Sequence, residues 1–291
     1  MFHVVRYFAK VSELSSPNPA SFNYDKQGKD WQVEPGKQQS PIPLVQSEAL
    51  RHEARQLVFF NYTKPLYKPY LTHNGHTVRM NISETVEKQN PALAGSNLKT
   101  VYLAQQLHFH WGSEKSQGSE HTIDSQRYDG ELHIVHKNIA YESNQEAVLH
   151  PDGFVVLAVM LRCPEVPQME SPAMNEICKE VKLLRKCYDS SQVKAEISLV
   201  DLFAGIDMDT FFTYKGSLTT PPCYETVDWF VFPDSLDIPK EIWQNFWQLK
   251  DRSGKRLINT YRDLQAPNAR PVYLCTGQEP KEIPKNRPSE L

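Results

Sequence analysis

Three histidines of this 291-residue chain have a spacing that would allow them to bind one metal ion. His108 and His110 lie in QQLHFHWG, and His133 lies in ELHIVH, two segments that are typical of β-strands. Residues two apart on a strand point to one face, so His108 and His110 direct two imidazoles at one point, and a neighbouring strand can bring the third. Three imidazoles without cysteine, with a fourth position open, favour a catalytic zinc over a structural one.

The flanking residues predict which face of each strand carries the imidazoles. The apolar face of the first strand is predicted to hold Leu103, Leu107, Phe109 and Trp111, and its other face to hold Ala104, Gln106, His108 and His110. In the second strand Glu131 and Val135 share the face of His133, which we expect to line a cavity. A metal-bound imidazole needs an acceptor for its second ring nitrogen, and Gln106 and Glu131 are both available for that.

Two other interpretations of these histidines are open at this point. An H-x-H is most often two unrelated polar residues. HFHWGSE, with Glu114, also resembles the iron or manganese motif of cupins, which has glycine six residues before the first histidine and seven after the glutamate. Tyr102 and His121 stand at those positions, so the cupin interpretation is disfavoured.

Four further motifs decide between these interpretations, namely QSPI (39–42), NGH (74–76), GSEHT with Glu120, and SLTTPP (217–222). Together with the two histidine motifs they resemble the α-class carbonic anhydrases, in that family's order and at compatible spacings, over residues 21–275. The resemblance implies a mainly β (α+β) single domain. Its large twisted central sheet would be mostly antiparallel, with a few short peripheral helices and zinc at the base of a central cone.

The resemblance also implies a function, the reversible hydration of carbon dioxide to bicarbonate and a proton by a carbonate dehydratase, a lyase. His108, His110 and His133 would bind Zn²⁺, and zinc-bound hydroxide would be the nucleophile. Gln106 and Glu131 would hold two of the imidazoles. Glu120 would accept a hydrogen bond from Thr219, which would orient the hydroxide. The implied substrate wall consists of Val135, Val156, Leu218, Thr219, Thr220, Val227 and Trp229.

By this resemblance, His76 occupies the proton-shuttle position of the fast members of the family. Tyr24 and Asn74 match polar residues that order the water chain between the metal and the shuttle. Imidazole suits that role because it titrates near neutrality. Arg79 stands where many fast members carry a small neutral amide. We therefore expect its charge to lower the pKa of His76 and to hinder the shuttle.

The cysteines bear on location. Secreted members often pair a cysteine before QSPI with the cysteine of TTPPC, but here Glu34 stands near the first position, so we expect Cys223 to be unpaired. The first 21 residues show no secretory signal pattern, and no apolar run is long enough to span a membrane. A cytoplasmic monomer is therefore expected, or a secreted protein if the N-terminus is incomplete.

Composition and element patterns set the remaining bounds. A net charge of −3, without a basic stripe or a run of like charges, argues against nucleic-acid or membrane partners. The resemblance implies small-molecule reactants, carbon dioxide and bicarbonate. Residues 1–20 are predicted to be an extension, 21–275 one domain, and 276–291 a polar, disordered tail. Helices are sparse: one is predicted after Ser171 and one after Pro239. The predicted strands are 57–62, 76–82, 101–111, 131–137, 154–162 and 228–232.

A non-catalytic binding module of the same fold is the competing hypothesis. The ligand set discriminates between them, because such modules have lost a zinc ligand. All three histidines, Glu120 and Thr219 are present here, which favours the enzyme.

Overall fold

The computed structural model describes residues 22–34, 36–52 and 56–277. Within them a twelve-stranded sheet and a separate two-stranded pair are joined by loops with a few short helices. The predicted extension, residues 1–20, and residues 278–291 of the predicted tail lie outside the described part. The single domain of residues 21–275 stays a prediction.

The strands are mostly short, and the four longest carry the site. The strands are β1 Pro43–Leu44, β2 Leu50–His52, β3 Leu57–Phe60, β4 Tyr70–His73, β5 Val78–Asn81, β6 Ala92–Gly95, β7 Tyr102–Trp111, β8 Thr122–Ile123, β9 Gly130–Asn138, β10 Phe154–Arg162, β11 Ser190–Gln192, β12 Phe211–Gly216, β13 Val227–Asp237 and β14 Tyr273–Cys275. The helices are α1 Asn144–Ala147, α2 Pro172–Glu180 and α3 Lys240–Trp243, with 3-10 turns at Val181–Leu183, Val200–Phe203 and Phe246–Gln248.

The large sheet runs in the order β11-β4-β5-β7-β9-β10-β13-β12-β14-β2, with β6 also on β7 and β3 on β6. Only β10 with β13 and β14 with β2 pair in parallel among the described strands of this sheet. The sheet is therefore mixed but mostly antiparallel, with few and short helices, which confirms the predicted fold class.

Each face of the sheet carries its own apolar cluster. Leu132 and Ile134 of β9 lie in the larger cluster, with helix α2. Val135 lies in the second cluster, with residues of β10, β12 and β13. Because successive residues of a strand alternate between faces, this confirms that His133 shares the face of Val135 rather than of its immediate neighbours.

The predicted faces of β7 are correct only after Gln105. The β7–β9 register shifts between Ala104 and Gln106, so Gln105 is an extra residue, a β-bulge. An inserted residue exchanges the two faces of a strand. Ala104 therefore packs in the larger apolar cluster with Leu107, and Leu103 is partly exposed. The placement of Leu103 on the apolar face and of Ala104 beside the histidines is wrong.

The two predicted helices begin where expected, directly after Ser171 and Pro239. Ser171 caps α2, its hydroxyl accepting the N–H of Met174 at 3.1 Å. After Pro239, α3 ends at Trp243, and a 3-10 turn continues the segment. Both helices cover the larger apolar cluster, away from the imidazoles.

Candidate metal centre

The pairing of two strands, β7 and β9, brings the three histidines together. His108 of β7 lies directly opposite His133 of β9, and His110 lies opposite Glu131. One ring nitrogen from each of the three histidines lies within 4.8 Å of the others. His110 and His133 are buried, whereas His108 is partly exposed. The cluster therefore opens to solvent on the His108 side.

Each imidazole is held by an oxygen acceptor on its other nitrogen. Carbonyl and carboxylate oxygens can only accept, so the contacting nitrogen carries the proton and the remaining nitrogen keeps a lone pair. The free lone pairs belong to Nε2 of His108, Nε2 of His110 and Nδ1 of His133. The three contacts are His108 Nδ1 to Gln106 Oε1 (3.0 Å), His110 Nδ1 to the Thr260 carbonyl (2.6 Å) and His133 Nε2 to Glu131 Oε1 (2.7 Å).

These lone pairs fit a tetrahedral zinc site. His108 Nε2 and His133 Nδ1 are 3.3 Å apart, and two nitrogens bound tetrahedrally to zinc lie about 3.3 Å apart. His110 Nε2 is buried without a hydrogen-bond partner among the described residues. Burial lowers the pKa of both His108 and His110, and Arg79 contributes for His108. Neutral imidazoles are the form that binds a metal.

Glu131 connects the imidazoles to the loop that carries Glu120. It accepts the backbone N–H groups of Glu120 and His121, the side chain of His121 at 2.7 Å, and the side chain of His133. Burial acts to raise the pKa of Glu131, but His121 and His133 outweigh it and hold the pKa well below its ordinary value. Glu131 therefore stays ionised and orients His133.

His121 is the positioning residue that sequence reasoning missed. Its second nitrogen contacts the hydroxyl of Tyr214 at 2.7 Å, and that hydroxyl donates to Ser40 of QSPI. The signal available in the sequence was a histidine directly after Glu120 in GSEHT. His121, Glu131 and His133 also form a second possible metal-binding group. Since both nitrogens of His121 already have partners, this group fits a metal less well than the three-histidine cluster.

A glycine allows the GSEHT loop to approach strand β7. A Cβ on Gly118 would lie 1.8 Å from the backbone nitrogen of Gly112, which directly follows β7. Only glycine fits there. This close contact, with the N–H of Arg262 donating to Glu120 Oε1 at 2.8 Å, sets the position of the Glu120 carboxylate.

The expected hydrogen bond between Thr219 and Glu120 is not formed. Glu120 Oε2 is buried without a hydrogen-bond partner in the described part of the chain, and it lies 3.4 Å from His110 Nε2. The carboxylate is turned toward the imidazoles. Thr219 is buried, two residues after Ser217. The backbone N–H of Ser40 donates to the Ser217 hydroxyl at 2.9 Å, and the N–H of Ser217 donates to the Ser40 hydroxyl at 3.0 Å. These two hydrogen bonds fix the start of SLTTPP.

The apolar residues predicted to contact the substrate are neighbours on the imidazole face. Val135, Val156 and Trp229 lie side by side in register across β9, β10 and β13. The Trp229 ring meets the His133 ring edge-on at 4.8 Å. The second apolar cluster contains Val135, Val156, Val227 and Trp229, with Leu218 packed against it. Thr220 follows in the same loop, partly exposed.

His76 lies in the turn that leads into β5, two residues before this strand begins. The Asn74 side chain accepts the N–H of His76 at 2.9 Å, and the His76 ring stacks on Phe22 at 4.0 Å. Phe22 also contacts Tyr24. Within the described residues the structure records no direct contact between His76 and the three clustered imidazoles.

Arg252, not Arg79, is the cation that acts on His76. Burial lowers the pKa of His76 to about 4, Arg252 adds to the lowering, and Asp251 opposes it. Arg79 instead lies opposite His108 in the β5–β7 pair, and its Nε donates to Asn81. The expectation that Arg79 lowers this pKa is therefore wrong, because the strand pairing directs its charge toward His108.

Two expectations on location can be compared with the structure. Cys223 is buried and forms no disulfide. In the described part of the chain, none of the helices has the length and apolar character needed to cross a membrane.

Comparison with known proteins identifies the family. Residues 24–276 match the model of the eukaryotic-type carbonic anhydrases. Carbonic anhydrase 6 of Homo sapiens is 33% identical over 241 residues, which cover 81% of this chain and 75% of the relative. Carbonic anhydrase 7 of Mus musculus is 30% identical over 248 residues, covering 83% and 90%. A putative carbonic anhydrase 3 of Caenorhabditis elegans is 30% identical over 238 residues, covering 81% and 89%.

The match spans most of the chain and includes every segment that contributes to the histidine cluster. The chain thus belongs to the eukaryotic-type carbonic anhydrase family and is an enzyme of the lyase class, a carbonate dehydratase.

Proposed function

We propose that this chain catalyses CO2 + H2O ⇌ HCO3⁻ + H⁺ with a zinc ion held by Nε2 of His108, Nε2 of His110 and Nδ1 of His133. One observation carries the proposal: three imidazole lone pairs meet at one point while the three opposite nitrogens each face an oxygen acceptor. Zinc, when bound, acidifies water to a pKa of about 7, an effect for which carbonic anhydrases are the reference case, and so supplies a nucleophile at neutral pH.

Gln106, Thr260 and Glu131 orient the ligands in this proposal. Each accepts a hydrogen bond from the protonated ring nitrogen of one imidazole. The lone pair on the other ring nitrogen therefore keeps its direction without reorganisation. Loss of such an acceptor weakens metal binding in comparable sites by about 10- to 100-fold. Glu131 is supported in turn by His121.

Thr219 and Glu120 position the attacking oxygen in this proposal. A hydroxyl that donates its only proton to a carboxylate can receive a hydrogen bond only through its lone pairs. Glu120 Oε2, a buried acceptor without a partner among the described residues, is the atom to which Thr219 would donate. The pair would then direct the nucleophile toward carbon dioxide, which is catalysis by orientation.

Carbon dioxide itself would lie against Val135, Val156, Leu218, Thr220 and Trp229. An uncharged, apolar substrate gains little from hydrogen bonds, so an apolar wall next to the metal is the surface it needs. The edge contact of the Trp229 ring with the His133 ring supports a binding position beside the ligand cluster.

His76, with Tyr24 and Asn74 along its path, would pass the released proton to buffer. A pKa of about 4 leaves His76 neutral at pH 7, ready to accept a proton but protonated in only about one molecule in a thousand. Efficient shuttles titrate near the working pH. We therefore propose a slow shuttle in this chain, limited by burial and by Arg252.

Stopped-flow measurement of CO2 hydration tests the function. The purified protein should lose its activity when a chelator removes the metal and should regain it when one equivalent of zinc is added. Activity that is unchanged by complete removal of metal would contradict the proposal. A protein that binds zinc but leaves the hydration rate at its uncatalysed value would favour the non-catalytic binding module instead.

A cytoplasmic location and a monomeric state are further parts of this proposal. The unpaired, buried Cys223 supports a reducing compartment, because disulfides are rare in the cytosol. Fractionation of cells that produce the protein tests the location, and light scattering of the purified chain tests the monomer. Recovery from the medium, or the mass of a dimer, would contradict these two parts separately.

A further inference from the structure

The side chain of Arg252 packs against the turn that carries His76. This turn joins β4 to β5, and Gly75, the residue directly before His76, has a positive φ of 91°. A Cβ on Gly75 would lie 3.0 Å from Cγ of Arg252 and 3.3 Å from its Nε. The absence of a side chain at Gly75 therefore allows Arg252 to lie next to the backbone of His76.

Burial does not fix the position of Arg252, because its side chain is exposed. A long exposed side chain samples several rotamers, and solvent and salt screen a charge that points away from the protein. The neighbouring Asp251 differs, since its carboxylate accepts the backbone N–H groups of Ser253 at 2.8 Å and Lys255 at 3.0 Å. A contact with another residue is therefore needed to keep the Arg252 charge at the turn.

Tyr188 supplies such a contact. The guanidinium carbon of Arg252 lies 5.3 Å from the centre of the Tyr188 ring, which is a cation–π contact. The side chain of Cys187 also hydrogen-bonds to Arg252. A cation–π contact at an exposed site favours the held rotamer by about two- to fivefold. The ring therefore raises the fraction of molecules in which the charge of Arg252 lies at the turn.

The backbone of Tyr188 is bound to the same turn through His73. The N–H of Tyr188 donates to the His73 carbonyl at 2.6 Å, and the N–H of His73 donates to the Asp189 carbonyl at 3.0 Å. The buried His73 ring contacts the Lys250 carbonyl through Nε2 at 2.8 Å. His73 thus joins the turn of His76 to the loops that carry Tyr188 and Arg252, and it fixes their relative positions.

We propose that Tyr188 is a positioning residue for proton transfer, whose ring holds the guanidinium of Arg252 at the turn of His76. This inference rests on the proposed function, in which His76 carries the proton. A cation held there opposes protonation of His76, and a released cation opposes it less. Asp251 and His73 also act on the His76 ring. Both stay in place when the Tyr188 ring is removed, because Tyr188 contacts His73 through its backbone.

NMR titration of His76 in the zinc-loaded protein tests the proposal without reference to turnover. Tyr188→Leu should shift the pKa of His76 upward, by less than Arg252→Gln does, because the cation is released but not removed. Tyr188→Phe keeps the ring and should titrate as the wild type does. In the Arg252→Gln background, Tyr188→Leu should cause no further shift. The matched control is Tyr67→Leu, which removes another exposed tyrosine with a cation over its ring, Lys68 at 5.1 Å.

Steady-state kinetics give a second readout on the same samples. In dilute buffer kcat should rise in Tyr188→Leu, because proton transfer limits it, while kcat/KM for CO2 changes by less than about twofold. An unchanged pKa of His76 in Tyr188→Leu would overturn the proposal. So would an equal shift in Tyr188→Phe or Tyr67→Leu, or a shift that persists in the Arg252→Gln background. Failure of the proposed function would be seen separately, as absence of CO2 hydration by the wild-type zinc protein.

Discussion

Nε2 of His110 and Oε2 of Glu120 lie 3.4 Å apart, both buried, and neither has a hydrogen-bond partner in the described part of the chain. A buried polar atom without a partner costs about 1–3 kcal/mol. A cation on the nitrogen and the Thr219 hydroxyl on the carboxylate would satisfy both atoms. The cost of leaving them unsatisfied is consistent with a site arranged for its metal rather than for stability alone.

Thr219→Val should slow the hydration step by about 100-fold, an effect of lost orientation of the reacting groups. Zinc content should stay at the wild-type value, because Thr219 is not one of the three residues proposed to bind zinc. Initial rates of CO2 hydration and metal analysis of the same samples check this. Thr213→Val, at a buried position in β12, is the matched control. Full activity in Thr219→Val would remove the hydroxyl from the mechanism.

His76→Ala should reduce turnover in dilute buffer and leave the hydration step unchanged, because the lost group carries only protons. A concentrated imidazole buffer should restore turnover. The measurement is kcat against buffer concentration for the variant and the wild type. Turnover of the variant that equals the wild type in dilute buffer would show that another group moves the proton.

Arg252→Gln should raise the pKa of His76, because it removes the cation that lowers it, and should speed proton transfer at neutral pH. NMR titration of His76 and the pH dependence of turnover both report the shift. Arg79→Gln is the comparison, since the strand pairing directs Arg79 toward His108. An upward shift in Arg79→Gln with none in Arg252→Gln would reverse our assignment.

His136 should make the fold sensitive to acid. Its ring, buried in the core against the Tyr62 hydroxyl, has a pKa lowered by burial to about 3, against 6.5 for an exposed histidine. A lowered folded-state pKa means that stability is complete above pH 6.5 and is lost as pH falls from 6.5 towards 3. The loss is about 5 kcal/mol at most.

Urea unfolding at a series of pH values measures this effect. His136→Gln cannot gain a proton, so its free energy of unfolding should fall less steeply between pH 6.5 and 3 than that of the wild type. His150→Gln, at a partly exposed position, is the control for loss of a histidine. Equal slopes for His136→Gln and the wild type would contradict the assignment.

Cys223 should be recovered as a free thiol. Protein made and denatured without reductant should be alkylated at this position, because its side chain is buried and forms no disulfide. Burial raises the pKa of the thiol, so alkylation of the folded protein should be slow. A disulfide-linked peptide containing Cys223 in the mass spectrum would contradict this prediction.

The sequence predicted those parts of the site that follow from strand periodicity. His108 and His110 share a face because they are two residues apart, and the partners Gln106 and Glu131 lie at the same spacing from His108 and His133. The bulge at Gln105 could not be predicted, because it is a shift in the register of β7 against β9, and the sequence of one strand does not contain that register. Contacts between segments that are distant in the chain also could not be predicted from the sequence. For this reason the effect of Arg252 on His76 was missed, and Arg79 was assigned the wrong neighbour.

X-ray absorption at the zinc edge, on protein reconstituted with one equivalent of zinc, tests the central claim most directly. Binding by His108, His110 and His133 predicts scattering from three imidazoles and one further light atom, with zinc–nitrogen distances of about 2.0–2.1 Å. His121→Gln should leave that pattern at three imidazoles. A spectrum with two imidazoles and a carboxylate, which the group of His121, Glu131 and His133 would give, would contradict the account.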